Sequence, residues 1–202
     1  MRIDAKSKTQ LFLRRILYIM QELKKNLLFS EQDIRVRVKE LAAEISACYK
    51  DDKPVVCVCV LRGAVMFFTD LMKEIKSDAV VYDFVTLSSY ENAMVEGTMS
   101  TTGKIKLIQD LRENVEGKHV LVVEDIVDSG FTVDYLRRYF ASKNALDVKI
   151  ACLLDKPMSR KVDAHADYVA FTLERPAFII GYGLDYDQKY RNLDGIYEVV
   201  SD

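Results

Sequence analysis

The stretch VLVVEDIVDSGFT, Val120–Thr132, decides the fold class and indicates where chemistry takes place. An apolar, β-branched run leads into two adjacent carboxylates, and an Asp-Ser-Gly turn then leads into a segment of helical character. A buried strand, a tight turn and a helix in that order are typical of an α/β fold. Ligands of such folds bind outside the carboxyl ends of the strands, which is where this turn lies.

Four other runs share the composition of this strand. They are short, rich in β-branched residues and nearly continuously apolar, as are strands buried on both faces of a parallel sheet. Helices are predicted at residues 64–75 and 132–140, after the first and third of the five strands. The alternation predicts an α/β fold with a mainly parallel, twisted sheet flanked by helices. The four runs are PVVCVCVL at 54–61, AVVYDFV at 79–85, VKIACLL at 148–154 and YVAFTL at 168–173.

Two further helices are predicted before the first strand. The first has an apolar stripe at helical spacing and would pack on the core or on another subunit. The second begins at Ser30, which opens a capping box with Asp33 in the acidic position. The stripe of the first helix comprises Leu13, Ile16, Leu17, Met20, Leu23 and Leu27, and the buried face of the second comprises Ile34, Val38, Leu41 and Ile45.

The segment 87–103 departs from these periodic patterns. It consists of about seventeen residues, mainly Ser, Thr, Gly, Asn and Glu, with little periodicity. Irregular segments of that length inside a compact domain are usually functional lids or disordered. The segment is therefore predicted to be a loop, either a functional lid or disordered.

Composition argues against several classes of function. Lys plus Arg number 29 and Asp plus Glu 31, for a formal charge of -2, so there is no electrostatic reason to bind nucleic acid or an anionic membrane. His119 and His165 belong to no Cys/His cluster, which leaves a zinc site or a catalytic triad little support. Cys57 and Cys59 alternate in an apolar run and are predicted to pack in the core. Reduced cysteines and the lack of a signal peptide predict a cytoplasmic protein.

The turn after the deciding strand has the chemistry of a ribose-phosphate site. Gly130 permits a tight turn, and the amides of residues 128–132 can bind a phosphate at the positive end of the next helix. Glu124 and Asp125 would repel a phosphate but can accept hydrogen bonds from sugar hydroxyls. The alternative is an ordinary helix cap formed by an aspartate or serine of the turn. Neither the GxxxxGKS/T loop of nucleoside-triphosphate enzymes nor a dinucleotide-binding GxGxxG is present.

The motif EDIVDSGFT resembles the signature of type I phosphoribosyltransferases, and within them the hypoxanthine-guanine branch. The similarity covers roughly residues 27–200. It implies the family's fold, in which a domain of residues 29–202 carries a small hood built mainly from about 157–202. The first twenty-five or so residues have no clear counterpart in the family, and residues 1–28 are predicted from their apolar stripe to form a helical extension. The other segments that resemble this branch, in the same order, are LRGAVMFFTDL at 61–71, DFVTLSSY at 83–90, LLDKP at 153–157 and FIIGYGLDYDQKYRNL at 178–193.

The resemblance also implies an activity. Enzymes of this branch transfer phosphoribosyl from 5-phosphoribosyl 1-diphosphate to hypoxanthine or guanine, in the presence of Mg²⁺, and release IMP or GMP and pyrophosphate. They serve purine salvage. A homodimer or homotetramer is the assembly that the resemblance implies.

On the sugar-diphosphate side, the resemblance assigns roles by position. Glu124 and Asp125 correspond to the acids that bind the ribose hydroxyls, and with Asp185 they are the candidate magnesium ligands. Leu61-Arg62-Gly63 resembles the pyrophosphate-binding turn, which in the family contains a non-proline cis peptide, and Arg191 corresponds to a pyrophosphate contact. The 5′-phosphate loop comprises Asp128, Ser129, Gly130, Phe131 and Thr132, and the start of the lid comprises Ser88, Ser89 and Tyr90.

On the base side, Asp128 corresponds to the proposed general base at purine N7. Lys156 corresponds to the lysine that donates to the 6-oxo group, and Phe178 to the ring that stacks on the base. The backbone of Ile179 corresponds to the group that reads the 2-position. The implied purine-binding set is thus Lys156, Phe178, Ile179 and Asp185.

Two residues depart from part of the family. Phe131 occupies a loop position where some members have lysine, so this side chain adds no charge to the phosphate site. Arg62 replaces a lysine, which leaves its backbone role intact and its side-chain role open. Three alternatives remain: an enzyme of the same class that uses xanthine or a pyrimidine, a non-catalytic regulatory module of the same fold, and an unrelated α/β nucleotide-binding protein.

Overall fold

The large sheet has six strands, five of them parallel. The computed structural model describes residues 23–49, 53–95 and 98–200, with backbone alone for 89–104. The strand order is β4-β3-β2-β5-β6-β7, and only β4 runs antiparallel to its neighbour. The predicted fold class is therefore confirmed. The strands are β2 (Val55–Leu61), β3 (Val80–Val95), β4 (Thr98–Gln109), β5 (His119–Val127), β6 (Asp147–Asp155) and β7 (Tyr168–Thr172).

Helices cover both faces of this sheet. Alternate residues of β2 enter different cores: Cys57 and Cys59 pack on the side of the first two helices, and Val58 packs on the side of the third. Both cysteines are fully buried, and burial raises the pKa of each thiol to about 12, as expected of core residues. The helices are α1 (Glu31–Ser46), α2 (Val65–Glu74) and α3 (Phe131–Ser142), and a short 3₁₀ helix spans Pro157–Ser159.

The start of α1 follows the predicted capping box. The Asp33 amide donates to Ser30 Oγ at 3.2 Å, and the Ser30 amide donates to Asp33 Oδ2 at 2.8 Å. The predicted apolar face is buried in full at Ile34, Val38, Leu41 and Ile45. None of the described helices combines the length and the apolar character needed to cross a bilayer.

A second, three-stranded antiparallel sheet forms the hood, and we call it the hood sheet. Its order is β1-β9-β8, where β1 is Lys25–Phe29, β8 is Ile179–Ile180 and β9 is Ile196–Val199. Two of its strands come from the C-terminal segment, as the resemblance implied. The third was predicted as helix, and that prediction is wrong at Leu27, which lies in β1. Leu13 to Met20 of the predicted stripe lie outside the described residues.

The prediction of an irregular loop at 87–103 is also wrong. Its described residues belong to β3 and β4, which pair as a long hairpin with irregular register between Thr86 and Leu87 and between Ser89 and Ala93. Ser and Thr side chains give no apolar periodicity, but the backbone groups of two neighbouring segments satisfy each other across an antiparallel ladder. The hairpin extends the sheet beside the carboxyl end of β2, next to the predicted site.

Candidate functional site

The turn between β5 and α3 presents an uncapped helix N-terminus. Gly130 is the N-cap of α3 with φ of 88°, and no described side chain caps this helix end. The alternative of an ordinary cap by Asp128 or Ser129 is therefore wrong. A Cβ at Gly130 would lie 3.0 Å from Arg160 Cδ, so the position needs glycine for both its conformation and its space. The free amides at the start of α3 have the geometry that binds an anion.

The two acids before this turn are held in an unfavourable environment for charge. Glu124 is 7% exposed, and its Oε2 has no hydrogen-bond partner among the described residues. Burial, and then the charge of Asp125, raises the pKa of Glu124 well above its usual range. Burial likewise raises the pKa of Asp125 to about 6, although the Ile126 amide and Arg191 act in the opposite direction. Such a pair is poised to gain from hydroxyl donors or a cation.

A cleft of about 170 Å³ opens beside these acids. The carboxyl ends of β2 and β5 form its floor, and the base of the hairpin forms its far wall. Its lining comprises Val60, Leu61, Arg62, Gly63, Leu87, Ile105, Glu124, Asp125 and Thr132. The cleft therefore brings together the predicted acids, the predicted pyrophosphate turn and Thr132, the last residue of the predicted phosphate loop.

The environment of Asp125 predicts a pH-dependent gain in stability on its replacement. Because burial raises the folded-state pKa to about 6, ionisation of Asp125 weakens the fold as the pH rises from about 4 to about 6. Asp125→Asn should therefore raise the Tm of the ligand-free protein by about 2–5 °C near pH 7.5 and by a clearly smaller amount near pH 4.5. Asparagine keeps an acceptor for the Ile126 amide, which donates to Asp125 Oδ1 at 2.7 Å. Thermal unfolding at the two pH values measures the difference.

Asp167 provides the matched control, because its pKa is shifted the other way. Hydrogen bonds from the Ile150 amide, Arg137 and Lys149 outweigh partial burial and hold the pKa of this carboxyl below its usual range. Its ionised form stabilises the fold above the unfolded-state pKa, so Asp167→Asn should lower Tm near pH 7.5. A fall in Tm for both variants would contradict the stated role of burial at Asp125.

The Leu61–Gly63 turn is packed between the acids and the hood. The Leu61–Arg62 peptide bond is cis, as the resemblance implied. A Cβ at Gly63 would fall within bonding distance of Asp125 Oδ2 and 2.5 Å from its Cγ. On the other side, a Cβ at Gly183 would overlap the Gly63 carbonyl oxygen, and Gly183 has φ of 100°. Only glycines allow this close stacking of one backbone on another and on a carboxylate.

The chain after Gly183 brings Asp185 and Arg191 to the same edge of the cleft. Arg191 forms an ion pair with Asp185 at 2.6 Å and donates to the Gly183 carbonyl at 2.6 Å. The Gln188 amide donates to the other Asp185 oxygen at 2.8 Å. The predicted magnesium ligand and the predicted pyrophosphate contact are therefore neighbours, and the charge of Arg191 also acts on the pKa of Asp125.

A second cluster lies on the base side. Lys156 Nζ is 3.2 Å from Asp128 Oδ2 and donates to the Ala177 carbonyl at 3.2 Å, and its side chain is 12% exposed. The Phe178 ring, next in sequence, is 51% exposed and packs edge-on against Tyr186. The structure thus joins the predicted base, the predicted oxo-group donor and the predicted stacking ring. Ile179 lies beside them in β8 and is buried.

Two residues near this cluster were not predicted from the sequence. Arg160 donates to the Asp128 carbonyl at 2.8 Å and forms an ion pair with Asp155, and its side chain is only 10% exposed. It therefore fixes the backbone of the predicted phosphate loop at Asp128. Tyr186 supports the Phe178 ring. An arginine after a strand carries no sequence signal that separates this position from a solvated one, whereas Tyr186 lies inside the quoted GLDYDQ segment.

The predicted lid residues are placed only in part. Ser88 pairs with Lys106 across the hairpin, and Ser89 pairs with Ile105. Tyr90 lies in β3, and the side chains of Ser89 and Tyr90 lie outside the described part of the structure. Their assignment as a lid stays a prediction.

Comparison with known proteins gives one family. The phosphoribosyl transferase domain model matches residues 28–187. A hypoxanthine-guanine phosphoribosyltransferase of Bacillus subtilis is 45% identical over 166 residues, which cover 82% of this chain and 88% of the relative.

Solved structures agree with this result. A hypoxanthine phosphoribosyltransferase from Staphylococcus aureus has a TM-score of 0.80 at 37% identity, covering 91% of this chain and 95% of its own. A hypoxanthine-guanine phosphoribosyltransferase from Bacillus anthracis, solved with a HEPES molecule in its active site, has a TM-score of 0.79 at 43% identity and covers 89% and 99%. With a domain match over most of its length and relatives at this level of identity, the chain belongs to the phosphoribosyltransferase family.

Proposed function

We propose that the protein transfers phosphoribosyl from 5-phosphoribosyl 1-diphosphate to hypoxanthine or guanine and releases pyrophosphate, as an enzyme of purine salvage. The observation that carries the proposal is the uncapped start of α3 directly after the buried acids Glu124 and Asp125. A phosphate on the amides and ribose hydroxyls on the acids would satisfy both groups at once. The names of the relatives support the same reaction.

Mg²⁺ is the proposed cofactor, and the residues present fit it. No cluster of three or more His, Cys, Asp or Glu side chains among the described residues could hold a metal without help. Mg²⁺ does not need one, because it binds through one or two carboxylates, several waters and substrate phosphates. Asp185 is the proposed direct ligand, and the unpartnered Oε2 of Glu124 and the raised pKa of Asp125 fit a nearby cation. The ion would neutralise the charge of the diphosphate.

Catalysis by the chain itself rests on positioning and electrostatics. We propose that Arg191 and the Leu61–Gly63 turn bind the pyrophosphate, while residues 128–132 hold the 5′-phosphate. Cleavage of the C1′–O bond leaves positive charge on the ribose, which Glu124 and Asp125 would offset while they accept hydrogen bonds from the ribose hydroxyls. Residues 88–90 of the hairpin are proposed to close over the cleft and exclude water.

The purine base would be bound by the cluster of Asp128, Lys156 and Phe178. Phe178 is proposed to stack on the purine, and Lys156 to donate to its 6-oxo group. Asp128 would accept the N7 proton, a contribution of about 10²–10⁴-fold for acid–base help. In the free protein Lys156 contacts both Asp128 and the Ala177 carbonyl, so it links the proposed base to the residue before the proposed stacking ring. The Ile179 backbone would meet the 2-position.

Lys156→Ala should discriminate base binding from diphosphate binding. Loss of the ammonium leaves the 6-oxo group without a charged donor, so the KM for hypoxanthine should rise about 10- to 100-fold. The Kd for the diphosphate with Mg²⁺, measured by calorimetry, should change less than about threefold, because Lys156 does not line the cleft and its ammonium contacts Asp128 and the Ala177 carbonyl on the base side. Lys39→Ala, at an exposed position of α1, is the control. Equal losses of base and diphosphate binding would contradict the assignment.

A direct assay tests the proposed reaction. The protein is incubated with the diphosphate, Mg²⁺ and one base at a time, and pyrophosphate release is followed. Release with hypoxanthine or guanine is expected. Release with xanthine alone would favour the xanthine-using alternative, and binding of the diphosphate without release for any base would favour a regulatory module of the same fold.

Two further properties belong to the proposal. A homodimer or homotetramer is expected, and a solved relative from Trypanosoma cruzi is described in terms of its oligomeric state. The cytoplasm is the proposed location, since the four described cysteines are free thiols.

A further inference from the structure

Tyr182 points away from the cleft but sits in the segment that carries the site. It is 8% exposed, and its hydroxyl donates to Asp70 Oδ2 on α2 at 2.8 Å. Its own backbone has φ of 46°, between Gly181 at 96° and Gly183 at 100°. A non-glycine residue in this conformation costs free energy and persists only when its surroundings hold it. Burial of the ring, the bond to Asp70 and a hydrogen bond from the Tyr182 amide to the Leu193 carbonyl at 2.9 Å hold it.

The segment around Tyr182 contacts both sides of the proposed diphosphate region. Gly183 abuts the Gly63 carbonyl, and its own carbonyl accepts from Arg191 at 2.6 Å. The Gly183 amide in turn donates to the Arg191 carbonyl at 2.9 Å. Asp185 follows two residues later. A shift of Tyr182 would therefore move Arg191 and Asp185 relative to the Leu61–Gly63 turn.

The partner of Tyr182 belongs to the other half of the same site. Asp70 lies on α2, which begins at Val65, directly after that turn. The hydrogen bond thus joins the helix that extends from one side of the pyrophosphate region to the segment that forms the other side.

We propose that the Tyr182–Asp70 hydrogen bond is a positioning contact that fixes the spacing between the Leu61–Gly63 turn and the Asp185–Arg191 pair. The proposal rests on the proposed function of that region as a diphosphate site. Neither residue touches the substrate in this scheme. They act through Gly183, whose backbone is stacked on Gly63.

The contact is suited to this role because its loss should lower the free energy of unfolding only slightly. The Asp70 side chain is 47% exposed and also pairs with Lys73 at 3.0 Å, so water and Lys73 can satisfy it when the hydroxyl is removed. A groove between α1 and α2, lined by Asp70 and Tyr182 among others, admits that water. Removal of the hydroxyl should therefore disturb the position of the segment more than the stability of the fold.

Tyr182→Phe is the test, with the Kd for the diphosphate plus Mg²⁺ measured by calorimetry in the absence of base. We expect that Kd, and the KM for the diphosphate, to rise about tenfold, while the KM for hypoxanthine changes less than about twofold. Asp70→Ala should reproduce the effect, and Asp70→Asn, which keeps an acceptor, should restore most of the affinity. Combining Tyr182→Phe with Asp70→Ala should add little to either change.

Tyr49→Phe is the matched control. Tyr49 is another largely buried tyrosine, its hydroxyl has no hydrogen-bond partner among the described residues, and it packs against His119 at the opposite end of the sheet. Its replacement should leave both constants unchanged. The proposal is overturned if Tyr182→Phe alters neither constant, or raises those for diphosphate and base equally. A wild-type protein that binds no diphosphate would instead contradict the proposed function.

Discussion

Asp128→Asn is expected to reduce turnover about 10²- to 10⁴-fold while leaving the Kd for the diphosphate within about threefold of wild type. The amide cannot accept the N7 proton of the purine. It can still accept a hydrogen bond from Lys156, which lies 3.2 Å from Asp128 Oδ2, and the Asp128 carbonyl still accepts from Arg160 at 2.8 Å. The loop therefore keeps its shape. Steady-state rates and calorimetry with diphosphate and Mg²⁺ measure the two effects separately.

Asp134→Asn is the control for this variant. Asp134 lies one turn into α3 and forms an exposed i,i+4 ion pair with Arg138 at 2.5 Å. Its replacement removes the same charge near the same helix end without touching the proposed base. Turnover that is unchanged in Asp128→Asn, or equally reduced in both variants, would exclude Asp128 as the general base.

Gly63→Ala is expected to abolish measurable diphosphate binding, with at least about a 100-fold rise in Kd. The new methyl group would occupy the space of the Asp125 carboxylate, whose Cγ would lie 2.5 Å away. Either Asp125 or the pyrophosphate turn must move, and both belong to the cleft. Overpacking of this kind also costs about 1–3 kcal/mol of stability. Calorimetry and thermal unfolding measure the two losses.

Two further variants separate the effect of the clash with Asp125 from the effect of replacing a glycine. Gly117→Ala introduces the same methyl group at φ of 68° with no atom within 4 Å, so it should cost some stability and leave diphosphate binding intact. Gly63→Ala combined with Asp125→Gly removes the clash and should recover stability but not binding. Recovery of binding in that double variant would show that Asp125 has no role in holding the substrate.

The central sheet could be predicted from the sequence because its strands are buried on both faces. The run around Cys57 and Cys59 is apolar at every position, which is the pattern of a strand between two layers of helices. The hairpin could not be predicted in this way. The polar residues of 87–103 gain their order from pairing between β3 and β4, which leaves no apolar period in the sequence.

β1 was mistaken for a helix for a related reason. Leu23 and Leu27 are four residues apart, a spacing that an amphipathic helix requires and that a short strand also permits. What makes Lys25–Phe29 a strand is its pairing with β9, in which Lys25 lies opposite Val199. That partner is distant in sequence, and local periodicity contains no information about it.

The site was predictable where residues follow strand ends. Asp128 and Lys156 each come after a parallel strand of the same sheet, so their meeting follows from topology. The contribution of Arg160 does not, because its ion pair with Asp155 and its bond to the Asp128 carbonyl exist only in the folded chain. The hydrogen bond between Tyr182 and Asp70 could not be predicted either, because the two residues are 112 positions apart and meet only in the folded chain.

The pairing of β1 with β9 also sets an order of events during protein synthesis. The Val200 amide donates to the Lys24 carbonyl at 3.0 Å, and the segment with Asp185 and Arg191 lies between β8 and β9. A ribosome-bound chain can assemble the six-stranded sheet once residue 172 has emerged, but the hood sheet must wait for residues 196–199. Until then the backbone N–H and C=O groups of β1 have no strand to pair with. In the nascent protein the turn between β5 and α3 is therefore complete before β9 closes the hood sheet around the segment that carries Asp185 and Arg191.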